Sequence, residues 1–198
     1  MDRRDEFLDA AERVLRKRGL SGTTTRAITT EVGCAEGTLY RYFADRAELF
    51  LALFERRLVA ALPALQRLAE LAERPDPQAV LLDVCMEFLR FHRENAAFLA
   101  GLFAEPDLLK KYRALILRKH DAPRVSPPLL KYVRHQQRAG RIAADADPAV
   151  ITEALVGTCF ARAFHDLMFD DRPTEAADRK FLTALIGSLT GPGRRPAG

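Results

Sequence analysis

Apolar residues recur at three- and four-residue steps along most of this 198-residue chain, the spacing of one face of an α-helix. Phe7, Leu8, Ala11, Val14 and Leu15 form the first such stripe, which stops near Gly19. A second, short helix is expected from Thr25 to Val32, with a threonine offering a cap oxygen to its free amides. Gly33 should end it, since glycine tolerates the left-handed conformation found just past a helix. The third helix is expected from Ala35 to Phe43. Asp45-Arg46-Ala47-Glu48 then reads as a capping box, aspartate in the cap and glutamate reaching back from three residues on. It opens a fourth helix whose stripe is Leu49, Phe50, Leu53, Phe54, Leu58 and Leu62. Pro63 should kink or divide that helix, because proline has no amide for the ladder and clashes with the preceding turn. Asp76-Pro77 and Asp147-Pro148 each place a capping aspartate before a proline in the first helical position. Segments 76–94, 106–120, 127–139, 148–169 and 175–190 are helical by period. No stretch alternates as a strand does, so the expected fold is all-α, with a tail, 191–198, expected to be disordered.

Composition narrows the function classes. Hydrophobic residues make up 48% and charged residues 29%, an ordinary soluble balance, and no apolar run approaches the roughly 20 residues of a membrane span. The opening Met-Asp-Arg-Arg-Asp-Glu-Phe lacks the apolar segment of a secretory signal, so a cytoplasmic protein without a membrane partner is expected. Cys34, Cys85 and Cys159 are odd in number and far apart, which indicates neither a disulfide framework nor a metal site; they read as small hydrophobes. No cofactor is indicated. The net charge of +4 is too mild to identify a partner, and residues 1–50 carry nine basic and nine acidic residues. Five of those acids crowd residues 2–12, where they suit the positive end of a first helix. Residues 13–46 carry seven basic against three acidic residues.

Two short helices joined by a glycine-containing turn describe a helix-turn-helix, whose second helix enters the major groove of DNA. That arrangement gives a common purpose to the polar residues of Gly-Cys-Ala-Glu-Gly-Thr-Leu-Tyr-Arg-Tyr-Phe, residues 33–43. Hydroxyls of Thr25, Thr38, Tyr40 and Tyr42 can donate to phosphate oxygens, which sets register without reading sequence. Arg26, Glu36 and Arg41 are long enough to reach base edges or backbone: arginine can grip guanine, and glutamate can accept from the amino group of cytosine. Arg46 can meet a phosphate at the start of the fourth helix. Leu39, Phe43, Ile28 and Val14 are the core that holds the three helices. The alternative for Tyr40 and Tyr42 is rings packed between helices; for Arg41 it is a solvated surface position.

The order Thr-Thr-Arg-Ala-Ile-Thr-Thr-Glu-Val-Gly-Cys-Ala-Glu-Gly-Thr-Leu-Tyr-Arg-Tyr-Phe-Ala-Asp-Arg-Ala-Glu-Leu, residues 24–49, resembles the DNA-binding domain of the tetracycline-repressor (TetR) family of bacterial transcriptional regulators. The resemblance implies DNA contacts at Thr25, Arg26, Ala35, Glu36, Thr38, Tyr40, Tyr42 and Arg46, and a three-helix helix-turn-helix head at 1–46 followed by a larger helical ligand-binding and dimerisation domain at 47–190. This chain departs from the family pattern at Ala35, which forgoes a cap worth about 1 kcal/mol, and at Thr29, Val32 and Cys34. A homodimer on a palindromic double-stranded operator is implied, with a small-molecule effector, largely apolar, that releases it.

For the effector the candidate lining is Phe88, Phe91, His92, Phe98, Phe103, Phe160, Phe164 and Met168, bulky apolar groups with an orienting imidazole; the alternative is plain core. For the dimer the candidates are the small-residue face Ala154, Gly157 and Ala161 with the stripe Phe181, Leu182, Leu185, Ile186 and Leu189. There the alternative is a stripe that covers the chain's own core. An enzyme lacks its parts: there is no phosphate-binding glycine loop, no His-Glu-x-x-His and no nucleophile elbow, and His165 with Asp166, Asp170 and Asp171 reads as a solvated charged cluster. The remaining rival is a helical ligand-binding or interaction module without DNA function.

Overall fold

The computed structural model describes residues 2–61, 63–119 and 126–191, and every regular element among them is a helix. In chain order these are α1 (Arg3–Gly22), α2 (Thr25–Val32), α3 (Glu36–Leu39), α4 (Arg46–Ala61), α5 (Pro63–Gln66), α6 (Pro77–Phe103), α7 (Pro106–Lys119), α8 (Pro127–Arg138), α9 (Pro148–Phe169) and α10 (Glu175–Thr190). The described helices include none long and apolar enough to cross a membrane.

Local signals explain most boundaries. Asp2 caps α1 by accepting from the Arg4 amide, and the helix is interrupted at Gly19 (φ 68°, ψ −178°) before a last turn. The Thr24 hydroxyl accepts from the Ala27 amide to start α2, and Gly33 ends it in the left-handed region (φ 77°, ψ 40°), where a Cβ would be strained. Asp76 and Asp147 accept from the amides of Ala79 and Ala149 at 3.0 and 2.7 Å, each just ahead of a helix that begins on proline. Pro63 does divide the fourth helix: α4 ends at Ala61 and α5 begins on the proline.

Three expectations need correction. The third helix is regular only over Glu36–Leu39; beyond it the amides of Arg41 and Tyr42 turn back to the carbonyls three residues earlier, at 3.3 and 3.0 Å, so the chain tightens toward the start of α4 instead of continuing to Phe43. In the capping box Asp45 accepts from the Glu48 amide at 2.8 Å, but the Glu48 carboxylate reaches the Ala44 amide at 2.6 Å, one residue earlier than the ideal box. The helix expected over 76–94 runs on to Phe103, because Ala96, Phe98, Leu99 and Leu102 continue a buried stripe. Leu62, the Leu58 side chain, residue 120 and residues 192–198 of the expected tail lie outside the described residues.

The chain forms two compact units, one of Met1–Ala60 with Asn95–Lys119 and the other of Ala61–Glu94 with His120–Gly198. In the first, Phe7, Leu8, Val14, Ile28, Leu39, Phe43, Leu49 and Phe50 are buried together with Phe98 and Leu102. Gly101 permits a close approach here: a Cβ on it would lie 2.3 Å from Leu20 Cδ2. α4 is bound to α1 by Arg56, whose guanidinium meets Asp9 at 2.7 Å and Glu12 at 3.1 Å. In the second unit, Leu81, Cys85, Leu89, Leu129, Val133, Leu155, Cys159, Leu182 and Ile186 form the core. Its polar centre is Asp178, fully buried, which accepts from Arg93 (2.5 and 3.1 Å) and Arg162 (2.8 Å). Burial alone would push this carboxyl up; the two guanidiniums outweigh it and hold the group below the ordinary aspartate value.

Candidate nucleic-acid interface

α2 and α3 meet at the turn Gly33–Ala35, where the Gly33 and Cys34 amides both donate to the Thr29 carbonyl at 2.9 and 3.0 Å. α2 packs on α1, and α3 on α2, through Ile28 and Leu39, neither of which is exposed. Because α3 is amphipathic over so few residues, burying Leu39 and Phe43 leaves the residues between them outside. Tyr40 is 50% exposed, and Arg26, Ala35, Glu36, Arg41 and Tyr42 are exposed too, while Thr25 and Thr38 are half-buried. One surface therefore carries hydroxyl, guanidinium and carboxylate groups on a frame fixed from beneath.

The expected contact residues do not all keep their donors free. The Tyr42 ring packs against Phe7, with centroids 5.7 Å apart, so its body belongs to the frame and its hydroxyl edge to the surface. The Thr25 hydroxyl donates to the Glu36 carboxylate. Arg46 departs furthest from expectation. Its Nε donates to the Thr23 carbonyl at 3.1 Å, Nη2 to the Leu20 carbonyl at 2.9 Å and Nη1 to Glu105 at 2.9 Å, and the guanidinium lies 4.9 Å from the Phe50 ring centroid. Its fork closes the open end of α1 instead of projecting outward. Sequence reasoning missed the partners that α7 and the residue just before it bring here: Glu105 for Arg46, and Lys111, which binds Asp45. Lys111 lowers the Asp45 carboxyl below its ordinary value, assisted by the Glu48 amide. Nothing within residues 24–49 signals partners 59 and 66 positions away.

Of the eight residues expected around an effector, Phe88, Phe91, His92, Phe160 and Phe164 form one contiguous ring cluster, and Phe98, Phe103 and Met168 do not join it. Phe98 belongs to the first unit, where its ring stacks on Phe54 at 5.7 Å. Phe103 and Met168 are mostly solvent-exposed, and Phe88 and Phe91 are buried in packing. His92 sits among Phe88, Phe91 and Phe160 with its Nδ1 lacking a hydrogen-bond partner among the described residues; burial pushes its pKa down to about 4. Phe164 pairs with Phe160 at 4.4 Å. The second unit does hold a cavity of about 470 Å³, but it is lined by Leu71, Arg74, Val80, Met86, Arg90 and Arg93, among others, and by none of the eight. Helical spacing does not say which side of a helix faces a void, and this cavity opens on a different face from the aromatic cluster.

The dimer candidates divide by burial. Ala154 is half-buried and Gly157 and Ala161 are exposed on α9, alongside exposed Val150, Phe160, Leu167 and Met168; Phe181 is exposed on α10. Leu182 and Ile186, by contrast, lie within the second unit's own core and have nothing left to offer a partner subunit, while Leu185 and Leu189 are half-buried against it. His165, Asp166 and Asp171 bring potential ligand atoms within 4.8 Å of one another, but Asp166 is already held by Arg93 at 2.6 Å.

Comparison with known proteins bears on this geometry. Residues 7–53 match the family model described as bacterial regulatory proteins, tetR family. The HTH-type transcriptional repressor AcnR of Corynebacterium diphtheriae is 39% identical over 51 residues, 26% of this chain and 27% of that protein. An HTH-type transcriptional regulator of Mycobacterium tuberculosis is 32% identical over 96 residues, 48% of this chain and 46% of that one. The chain thus spans under half the length of these curated relatives. A crystal structure ascribed to a TetR-family transcriptional regulator of Mesorhizobium loti superposes with a TM-score of 0.69 at 18% identity, covering 94% of both chains, which is a likeness of fold.

Proposed function

We propose that this chain, whose residues 7–53 match the model of bacterial regulatory proteins, tetR family, is a DNA-binding transcriptional regulator of that family, a repressor and not an enzyme, that acts in the cytoplasm. It binds a palindromic operator as a homodimer through residues 24–46 and is released by a small-molecule effector. The observation that carries the reading is the exposed set on α2 and α3, where Arg26, Tyr40, Arg41 and Tyr42 stand outside a fully buried Leu39 and Phe43. Tyr40, Thr38 and the Tyr42 hydroxyl serve phosphates, and Arg26 and Arg41 have the reach for base edges. Arg46 acts by holding the frame. The named relatives support the regulator reading: one is a repressor, the other an HTH-type regulator.

Dimerisation is assigned to the exposed small-residue face of α9, Ala154, Gly157 and Ala161, with Phe160 and Phe181 flanking it. Close approach of two such faces buries apolar surface that is otherwise open to water. A two-fold dimer presents two recognition helices to half-sites separated by a helical turn or a multiple of one.

The deciding experiment is selection of the purified chain on a random pool of DNA duplexes at two salt concentrations, followed by sequencing. A recovered palindrome is the expected result. Recovery of no sequence at either salt, with or without cell-extract small molecules, would leave the rival reading of a ligand-binding or interaction module.

A further inference from the structure

An acidic side chain on a helix that faces a polyanion needs a reason. Glu36 is the first residue of α3, exposed, and has no arginine, lysine or histidine in ion-pair contact among the described residues. It does not lack organisation, however: the Thr25 hydroxyl donates to its Oε1 across the turn between the helices. That hydroxyl is not needed to cap α2, since Thr24 already accepts from the Ala27 amide at 3.1 Å. Nor does Glu36 assist a cap at its own end, where Ala35 contributes no side-chain bond. The Thr25–Glu36 pair ties α2 to α3 and, in doing so, fixes the direction of a carboxylate.

Resting on the DNA-binding reading above, we infer that Glu36 is a specificity residue that selects cytosine at one position of each half-site, and that Thr25 is the residue that positions it. The first residues of a recognition helix are those that meet base edges. A carboxylate has only acceptors, and with Oε1 engaged by Thr25 its Oε2 remains for one donor from DNA. In the major groove guanine offers O6 and N7 and thymine offers O4, all acceptors that repel a carboxylate. Adenine offers its amino group only beside the N7 acceptor, whereas cytosine offers its N4 amino group. Where no such donor is present, the negative charge meets phosphates with no compensation, so Glu36 also weakens sequence-independent binding. Thr25, its hydroxyl turned toward Glu36, contributes orientation and not a phosphate contact.

The test uses the full chain and the duplex recovered by selection, with cytosine at each position changed symmetrically to thymine, guanine or adenine, and affinity read by fluorescence anisotropy. Wild type, Glu36→Gln, Thr25→Val and Thr25→Ser are compared. Wild type is expected to lose about tenfold when the selected cytosine becomes thymine. Glu36→Gln should transfer the preference to adenine, whose N6 and N7 glutamine matches, and should bind random duplex more tightly. Thr25→Val should flatten the cytosine preference while leaving random-duplex affinity near wild type, and Thr25→Ser should restore it. Unchanged base preferences in Glu36→Gln overturn the inference, as does a Thr25→Val loss that is equal on every duplex, which would give that hydroxyl to a phosphate. Absence of sequence-selective binding by wild type is a different result: it removes the DNA-reading function itself.

Discussion

Replacing Arg46 by alanine separates two roles that the same side chain could play. As a phosphate contact it would add to DNA affinity and little to stability; as the clasp seen here it should do the reverse. The substitution removes charged donors from the Leu20 and Thr23 carbonyls and breaks the pair with Glu105. A charge-assisted bond contributes about 1.5–3 kcal/mol when buried, but the Arg46 side chain is 31% exposed, which reduces each to about 1 kcal/mol. Glu105 is equally exposed at 32%, so its pair adds no more than about 0.5 kcal/mol. The expected cost is thus about 2–3 kcal/mol, read as a lowered urea midpoint by far-ultraviolet circular dichroism. Arg46→Lys should recover less than half, because an ammonium cannot span two carbonyls as a planar fork does. At a salt concentration and temperature where both proteins stay folded, the slope of log affinity against log salt should be unchanged. A midpoint equal to wild type, with a slope reduced by about 0.9 for each subunit, would refute the clasp and return Arg46 to the phosphates.

Other substitutions probe the rest of the molecule. Gly101→Ala places a methyl 2.3 Å from Leu20 Cδ2 and 3.1 Å from its Cβ, so it should destabilise the first unit by about 1–3 kcal/mol in urea unfolding. Tyr40→Phe should weaken binding to all duplexes alike, whereas Arg26→Ala should also relax preference at particular bases; equal losses for both across operator variants would remove Arg26 as a base reader. The depressed Asp178 carboxyl contributes stability that is present above the ordinary carboxylate value and lost as pH falls through its lower folded value. The urea midpoint should therefore hold from pH 7 to 5 and drop below about pH 4, with a lower and flatter profile in Asp178→Asn.

Signals carried within a few residues were legible from sequence, and signals carried across the chain were not. Asp-Pro pairs, Thr24 and Gly33 set helix ends through bonds two to four residues long, and those ends lie where the sequence puts them. Arg46 looked outward from its motif because the carbonyls and carboxylate that hold it come from positions 20, 23 and 105. The α10 stripe was readable as apolar, yet periodicity cannot distinguish Leu182 and Ile186, which point into their own unit, from Phe181, whose ring faces outward beneath Arg162 at 4.3 Å. For the same reason periodicity did not separate the aromatic residues of α6 and α9 that cluster around His92 from Phe98, which packs on Phe54.

The even charge count of the first 50 residues also resolves once partners are assigned. Most of the acids are engaged within the protein: Asp2 and Asp45 cap helices, Glu48 holds the Ala44 amide, Glu6 binds Arg3, Asp9 and Glu12 bind Arg56, and Glu31 binds Arg13. Several of the basic residues are not so engaged. Among the described residues no carboxylate pairs with Arg26 or Arg41, Arg4 meets the Phe43 ring at 5.0 Å, and Lys17 and Arg18 are partly offset by Glu31, whose carboxyl Arg13 and they hold below its ordinary value. A bulk count of zero therefore hides an excess of uncompensated positive charge on α2 and the turn after α3, and it is uncompensated charge, not the sum, that releases counterions when phosphates approach. Glu36, at the start of α3, is an acid without a cationic partner among the described residues, so the electrostatics that favour any DNA are opposed there, where only a base with a donor can make up the loss.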